Sequence, residues 1–140
     1  LKGNRIRFLV PMETLTKPEI VTEILESLQT KFEEERQVIV HCCFPASYNL
    51  GTLIRIWPST FLIDESMDHQ SALIHHENIS LYPEWTMVPP LQDYWFTLVF
   101  KGLPKACKVF DLKEVIPESG GFHVQHIKRN ATDIYRVVIV

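Results

Sequence analysis

The residues best able to do chemistry are the run His41-Cys42-Cys43, the single Cys107, and further histidines at 69, 75, 76, 123 and 126. A thiolate nucleophile needs a neighbouring cation or a helix N-terminus to lower its pKa, and a base held by a third group. Cys43 with His41, or Cys107 beside Lys105 and Lys108, offers those residue types. Both lie in strand-like runs, not on a strained elbow or at a helix start where nucleophiles are presented. The favoured reading of the cysteines is therefore small apolar filler, and a thiol-dependent enzyme or redox protein using Cys43 or Cys107 is the alternative. For a metal, His41 and Cys43 share one face of a strand, and His75 or His76 could complete a tetrahedral set. Adjacent cysteines lack the two-residue gap that lets a turn present both sulfurs, so neither a metal nor a cofactor is expected. Asp64, Glu65 and Asp68 crowd one loop, as solvated turns do, and would hold at most a weak calcium ion.

A second group of residues points to recognition instead of catalysis. Tyr82, Trp85, Tyr94 and Trp95 fall with Pro89 and Pro90 inside "LYPEWTMVPPLQDYW". Tyr and Trp dominate binding hot spots, and loops carry them to partners. These four aromatics are the candidate binding residues if the stretch is an irregular surface connection; if it packs across the end of the fold, they form a core plug.

Composition narrows the classes. The chain of 140 residues is 46% hydrophobic and 22% charged, which is ordinary for a globular domain and unlike a disordered one. A chain this long buries roughly two-thirds of its unfolded surface, enough for one core, and a single domain over 1–140 is expected. Fourteen basic against seventeen acidic residues give a net charge of −3, which offers no footprint for a phosphate backbone, so nucleic acid is not an expected partner. No apolar run reaches the ~18–20 residues of a membrane span. Leu1 in place of Met fits a trimmed chain, which leaves export open. Three cysteines do not make a disulfide framework, so the redox compartment is not fixed by them.

The elements that must position these residues read as short strands: "RIRFLV" (5–10), "RQVIVHCCF" (36–44), "TLIRIW" (52–57), "TFLI" (60–63), "SALIHH" (71–76), "WFTLVF" (95–100), "CKVFDL" (107–112), "FHVQHI" (122–127) and "IYRVVIV" (134–140). Turn residues separate them, among them "KGLPK" at 101–105 and "PESGG" at 117–121. In "WFTLVF" the residues Phe96, Leu98 and Phe100 share one face and Trp95, Thr97 and Val99 the other, as a strand half inside a core requires. The stretch 17–33 is ambiguous: Ile20, Ile24, Leu28 and Phe32 recur every four residues, which suits one face of a helix and equally one face of a strand. The expected fold is an all-β, immunoglobulin-like antiparallel sandwich, with a helix or a first strand over 17–33 left open.

The stretches "TLIRIWPSTFLID", "HHENISLYPE" and "FTLVFKGLPKACKVFDLKEVIPESGGFHVQHI", over roughly 50–127, resemble a family of small, uncharacterised β-sandwich accessory domains from Bacteroidetes. That family repeats an "RI-S-TFL" strand pair, an "AENI-L-PE" loop, and "FTL-F-LPK-FDL-E" followed by "GF". This chain departs from it with His75-His76 before Glu77-Asn78 and with "HCCF" at 41–44. The resemblance implies an extracytoplasmic module of an exported protein, serving a protein partner or a neighbouring domain, and it favours a first strand at 20–32. It brings no active-site residues. Oligomeric state is open, since an edge strand such as "IYRVVIV" can pair within the sheet or with another chain.

Overall fold

In the computed structural model, which describes residues 36–47 and 51–139, the regular structure is nine strands with no helix. These residues belong to the unit Glu33–Val140. The expected strand at 5–10 and the ambiguous stretch 17–33 lie outside the described residues. The strands are β1 (Val38–Phe44), β2 (Thr52–Ile54), β3 (Thr60–Asp64), β4 (His69–Glu77), β5 (Thr86–Val88), β6 (Tyr94–Phe100), β7 (Val109–Glu114), β8 (His123–Lys128) and β9 (Ile134–Val138). The fold class is all-β, as the alternating runs predict. Seven strands make one sheet in the order β8-β7-β3-β4-β6-β1-β9, and β2 pairs with β5 as a separate ribbon. The large sheet is mixed, because β9 runs parallel to β1 while the other pairs are antiparallel, and it is nearly closed as a barrel.

Alternation explains which side chains fill it. On β6 Phe96, Leu98 and Phe100 face inward and are at most 3% exposed, whereas Trp95 faces out at 44%. Val38, Val40 and Cys42 do the same on β1, and the register sets Val40 opposite Leu98 and Cys42 opposite Phe96. Leu62 of β3 pairs with Leu112 of β7, and the Phe110 and Tyr135 rings meet edge to face with centroids 5.0 Å apart. Burying each such side chain contributes roughly 1.5–3 kcal/mol. Most strand ends shift by one or two residues from the sequence pattern, and two of the changes have a visible cause. The strand expected at 107–112 runs from Val109 to Glu114, because Cys107 N–H bonds the Pro104 carbonyl in the preceding turn. The run 52–57 stops as a strand at Ile54, and only Ile56 pairs again, in a parallel bridge to Leu81.

One buried carboxylate ties the ends of several strands together. Asp133, fully buried, receives Arg36 Nη2 at 2.7 Å and Arg129 Nη2 at 3.0 Å on Oδ2, and Arg129 Nε at 2.6 Å and the Tyr135 hydroxyl at 2.9 Å on Oδ1. Its carbonyl accepts the Ile39 N–H of β1, and its own N–H is capped by Asn130 Oδ1. Arg129 Nη1 also donates to the carbonyls of Pro104 and Cys107 ahead of β7. Burial opposes ionisation of Asp133, but the bonds from Arg129, Arg36 and Tyr135 outweigh it and hold the pKa below the usual carboxylate value.

Removing one partner of such a group strands the others. Asp133→Asn is expected to lower unfolding free energy by about 3–5 kcal/mol, measured by chemical denaturation. Because the folded carboxyl titrates below its unfolded value of about 3.9, its stabilisation is complete above that value and is lost as pH falls through the folded pKa. Stability followed from about pH 5 downward should therefore drop more steeply in the parent chain than in Asp133→Asn; equal slopes would contradict this account.

Candidate functional site

At the opposite end of β1 and β9 from Asp133, beside Phe44 and Ile139, the interior opens into a cavity of about 350 Å³. Its floor is apolar, built from Phe44, Ile56, Ile79, Phe96, Phe122 and Ile139. Three elements wall it: the segment running out of β2 through Arg55, Ile56 and Trp57; the approach to β5 with Trp85; and the β7–β8 connection with Ile116, Ser119 and Gly120. Backbone bonds lock the first two together, since Ile56 N–H donates to the Ser80 carbonyl and Tyr82 N–H to the Ile56 carbonyl. Ser80 N–H and its hydroxyl both reach the Thr86 hydroxyl oxygen, which fixes the start of β5.

The rim is a stack of four side chains. Trp57 and Tyr82 lie face to face with centroids 4.0 Å apart, and the Arg55 guanidinium sits 4.5 Å from the Tyr82 ring centre and 3.7 Å from that of Trp85. Arg55 Nη1 also donates to the Pro83 carbonyl, so the cation is held in place from three sides. Cation–π contacts at exposed rings contribute about 0.5–1 kcal/mol each, enough to orient the arginine without burying it. Trp85 remains 51% exposed and Tyr82 43%, an uncommon display for rings of this size.

Glu114, at the end of β7, is the buried acid of the wall. Its Oε2 accepts the Trp57 N–H at 2.9 Å and its Oε1 the Phe122 N–H at 3.4 Å. Burial pushes its pKa up, opposed by those two N–H groups and by the Arg55 charge. With both oxygens engaged by backbone, Glu114 acts as a clamp between the Trp57 turn and the start of β8. The backbone of the same residue requires glycine at 121, where a Cβ would come within 2.6 Å of the Glu114 main-chain carbonyl oxygen.

The four aromatics expected from the sequence do not form one patch. Trp85 lines the cavity and Tyr82 braces its rim. Tyr94 is half-buried against the core with its hydroxyl donating to the Asn78 carbonyl, and Trp95 stands on the outer face of β6 with Arg136 5.6 Å from its ring centre. Nor is "LYPEWTMVPPLQDYW" irregular throughout: Thr86–Val88 is β5, with Val88 buried. Arg55, Trp57 and Glu114 were not singled out by the sequence. The alternation of Arg55 and Trp57 in "LIRIWPS" was the available signal, because residues two apart share a side in extended chain.

No family model, curated protein or solved structure matches this chain. The site is read from its own chemistry.

The other constellations are dispersed. His41 Nδ1 bonds the Thr97 hydroxyl, His75 pairs with Glu77, and His76 bonds the Ile79 carbonyl, so the imagined set with Cys43 is not assembled. All three cysteines are free and buried. Burial pushes the Cys42 thiol up to about 12, and burial with the nearby Asp64 charge pushes Cys107 up to about 11. Cys43 is raised by burial and by Asp93. Iodoacetamide at about pH 8.5, the ordinary thiol pKa, should therefore leave all three unmodified in the folded chain and label them once denaturant is added, as read by mass spectrometry. Rapid labelling of any one in the native state would restore the thiolate alternative.

Proposed function

We propose that this chain is a non-catalytic, immunoglobulin-like interaction module of an exported protein, and that it takes an apolar or aromatic side chain of a protein partner or neighbouring domain into the cavity rimmed by Arg55, Trp57, Tyr82 and Trp85. The carrying observation is the pairing of that apolar cavity with exposed rings already fixed by Arg55. Binding pockets combine an apolar lining with a few placed polar groups, and Arg55 and Glu114 are such groups. Rings locked before binding lose little further freedom when a partner docks. In-and-out alternation on β6 and the packing of Phe110 on Tyr135 support a strand-built module around one core. The resemblance of 50–127 to Bacteroidetes accessory domains supports an extracytoplasmic setting. Raised thiol pKa values speak against the thiol-dependent alternative. Among the described residues no helix is long and apolar enough to cross a membrane.

The test is selection of displayed peptides against the whole chain. Selected peptides should share an aromatic or branched apolar anchor. Trp85→Ala should weaken them by about thirtyfold, the equivalent of a hot spot of ~2 kcal/mol, with the unfolding temperature unchanged. Binding indifferent to both Trp85→Ala and Arg55→Ala would refute the reading, and unfolding of Trp85→Ala would make the ring a plug.

A further inference from the structure

The cavity is not the only place where side chains converge. Among the described residues one group of potential metal ligands lies close enough to share an ion: Glu65, Asp111 and His126, whose ligand atoms all fall within 4.8 Å of one another. We propose that these three residues form a binding site for a divalent transition-metal ion, with His123 as the positioning residue that holds Asp111.

Topology brings the residues together from three strands. Glu65 directly follows β3, Asp111 lies on β7 opposite Ile63 of β3, and His126 lies on β8, which β7 pairs. The β7–β8 register shifts between Phe110 and Leu112, so Asp111 faces a widened segment of β8 that contains His126. Asp111 is only 3% exposed although it stands on the face opposite Phe110 and Leu112. Its Oδ1 accepts the His126 N–H at 3.0 Å and its Oδ2 bonds His123 Nε2 at 2.8 Å. Those two bonds fix the carboxylate and leave further lone pairs on each oxygen.

Two features beyond the hydrogen bonding favour an ion. Glu65 and Asp111 bring two carboxyl groups within 4.8 Å of each other, and their repulsion is relieved either when one keeps a proton or when a cation lies between them. A separate cavity of about 370 Å³, bounded by Glu65, Ser66, Lys108 and His126, lies beside two of the three donors and gives room for water there. Ligands at about 2.0–2.2 Å around a tetrahedral zinc lie about 3.3–3.6 Å apart, so the exposed Glu65 and His126 side chains would move inward by up to about 1.5 Å on binding. Imidazole nitrogen with carboxylate oxygen suits zinc and its first-row neighbours, whereas calcium and magnesium prefer oxygen alone. Placed there, the ion would tie the end of β3 to the β7–β8 pair.

The probe is Zn²⁺, titrated into the metal-stripped full chain by calorimetry, with thermal unfolding measured alongside. The proposal expects one ion per chain, a raised unfolding temperature, and no displacement by excess Ca²⁺. Glu65→Gln and His126→Asn should each weaken binding by at least the roughly 10–100-fold typical of lost supporting contacts in metal sites. Asparagine keeps the backbone N–H and tolerates the positive φ of 59° at position 126, and the exposed Glu65 variant carries the test if the other misfolds. His75→Ala, which removes the unrelated His75–Glu77 surface pair, should leave binding unchanged. Absence of binding heat and of thermal stabilisation would overturn the site. So would Zn²⁺ binding that survives both ligand variants, or that is lost in His75→Ala.

Discussion

The constraint on which the rest depends is a negative charge placed where water cannot reach it. Asp133 has a fully buried side chain, and a lone ionised carboxylate there would be prohibitively unfavourable. The fold answers with two arginines, a tyrosine hydroxyl and an asparagine cap, drawn from the segment before β1, the end of β8 and the start of β9. Arg36 is 40% exposed and retains part of its hydration, while Arg129 at 12% is committed to the interior. Because Arg129 also holds the Pro104 and Cys107 carbonyls, the same cation sets where β7 begins. The parallel β1–β9 contact and the packing of Tyr135 on Phe110 both presuppose that arrangement.

The two ends of the barrel thus do different work. Charged and hydrogen-bonding groups seal the Asp133 end. The other end carries the three-residue strands β2 and β5 and a rim held by stacking and cation–π contacts. A two-stranded ribbon is marginal by itself, so this end is expected to open more readily than the Asp133 end. Glu114 keeps that looseness local by clamping the Trp57 turn to the start of β8.

Side-chain periodicity made the strands legible: "WFTLVF" alternates so regularly that its inward and outward residues could be named without coordinates, whereas on β1 the adjacent Cys42 and Cys43 are both buried. Burial of the thiols followed from their apolar neighbours rather than from strand position, because Cys107 lies in the turn ahead of β7. What escaped was whatever depends on contacts distant in the chain. Asp133 reads as one more turn residue in "KRNATD"; its partner Arg36 lies 97 positions away. Arg55 reads as a strand's polar face until Tyr82 and Trp85 close around it. Tyr94 and Trp95 are neighbours on β6, where alternation sends them to opposite faces, so they cannot share one patch with each other. Glu65, Asp111 and His126 come from three strands, and no spacing rule links them.

The most direct test of this division of the barrel is native-state hydrogen exchange of individual amides. The Ile39 amide, bonded to the Asp133 carbonyl, should exchange only through global unfolding. The Ile56, Tyr82 and Glu84 amides at the cavity rim should exchange through smaller, local openings with clearly lower free energy. Equal protection at both ends, or an Ile39 amide that opens before Ile56 and Tyr82, would contradict the account.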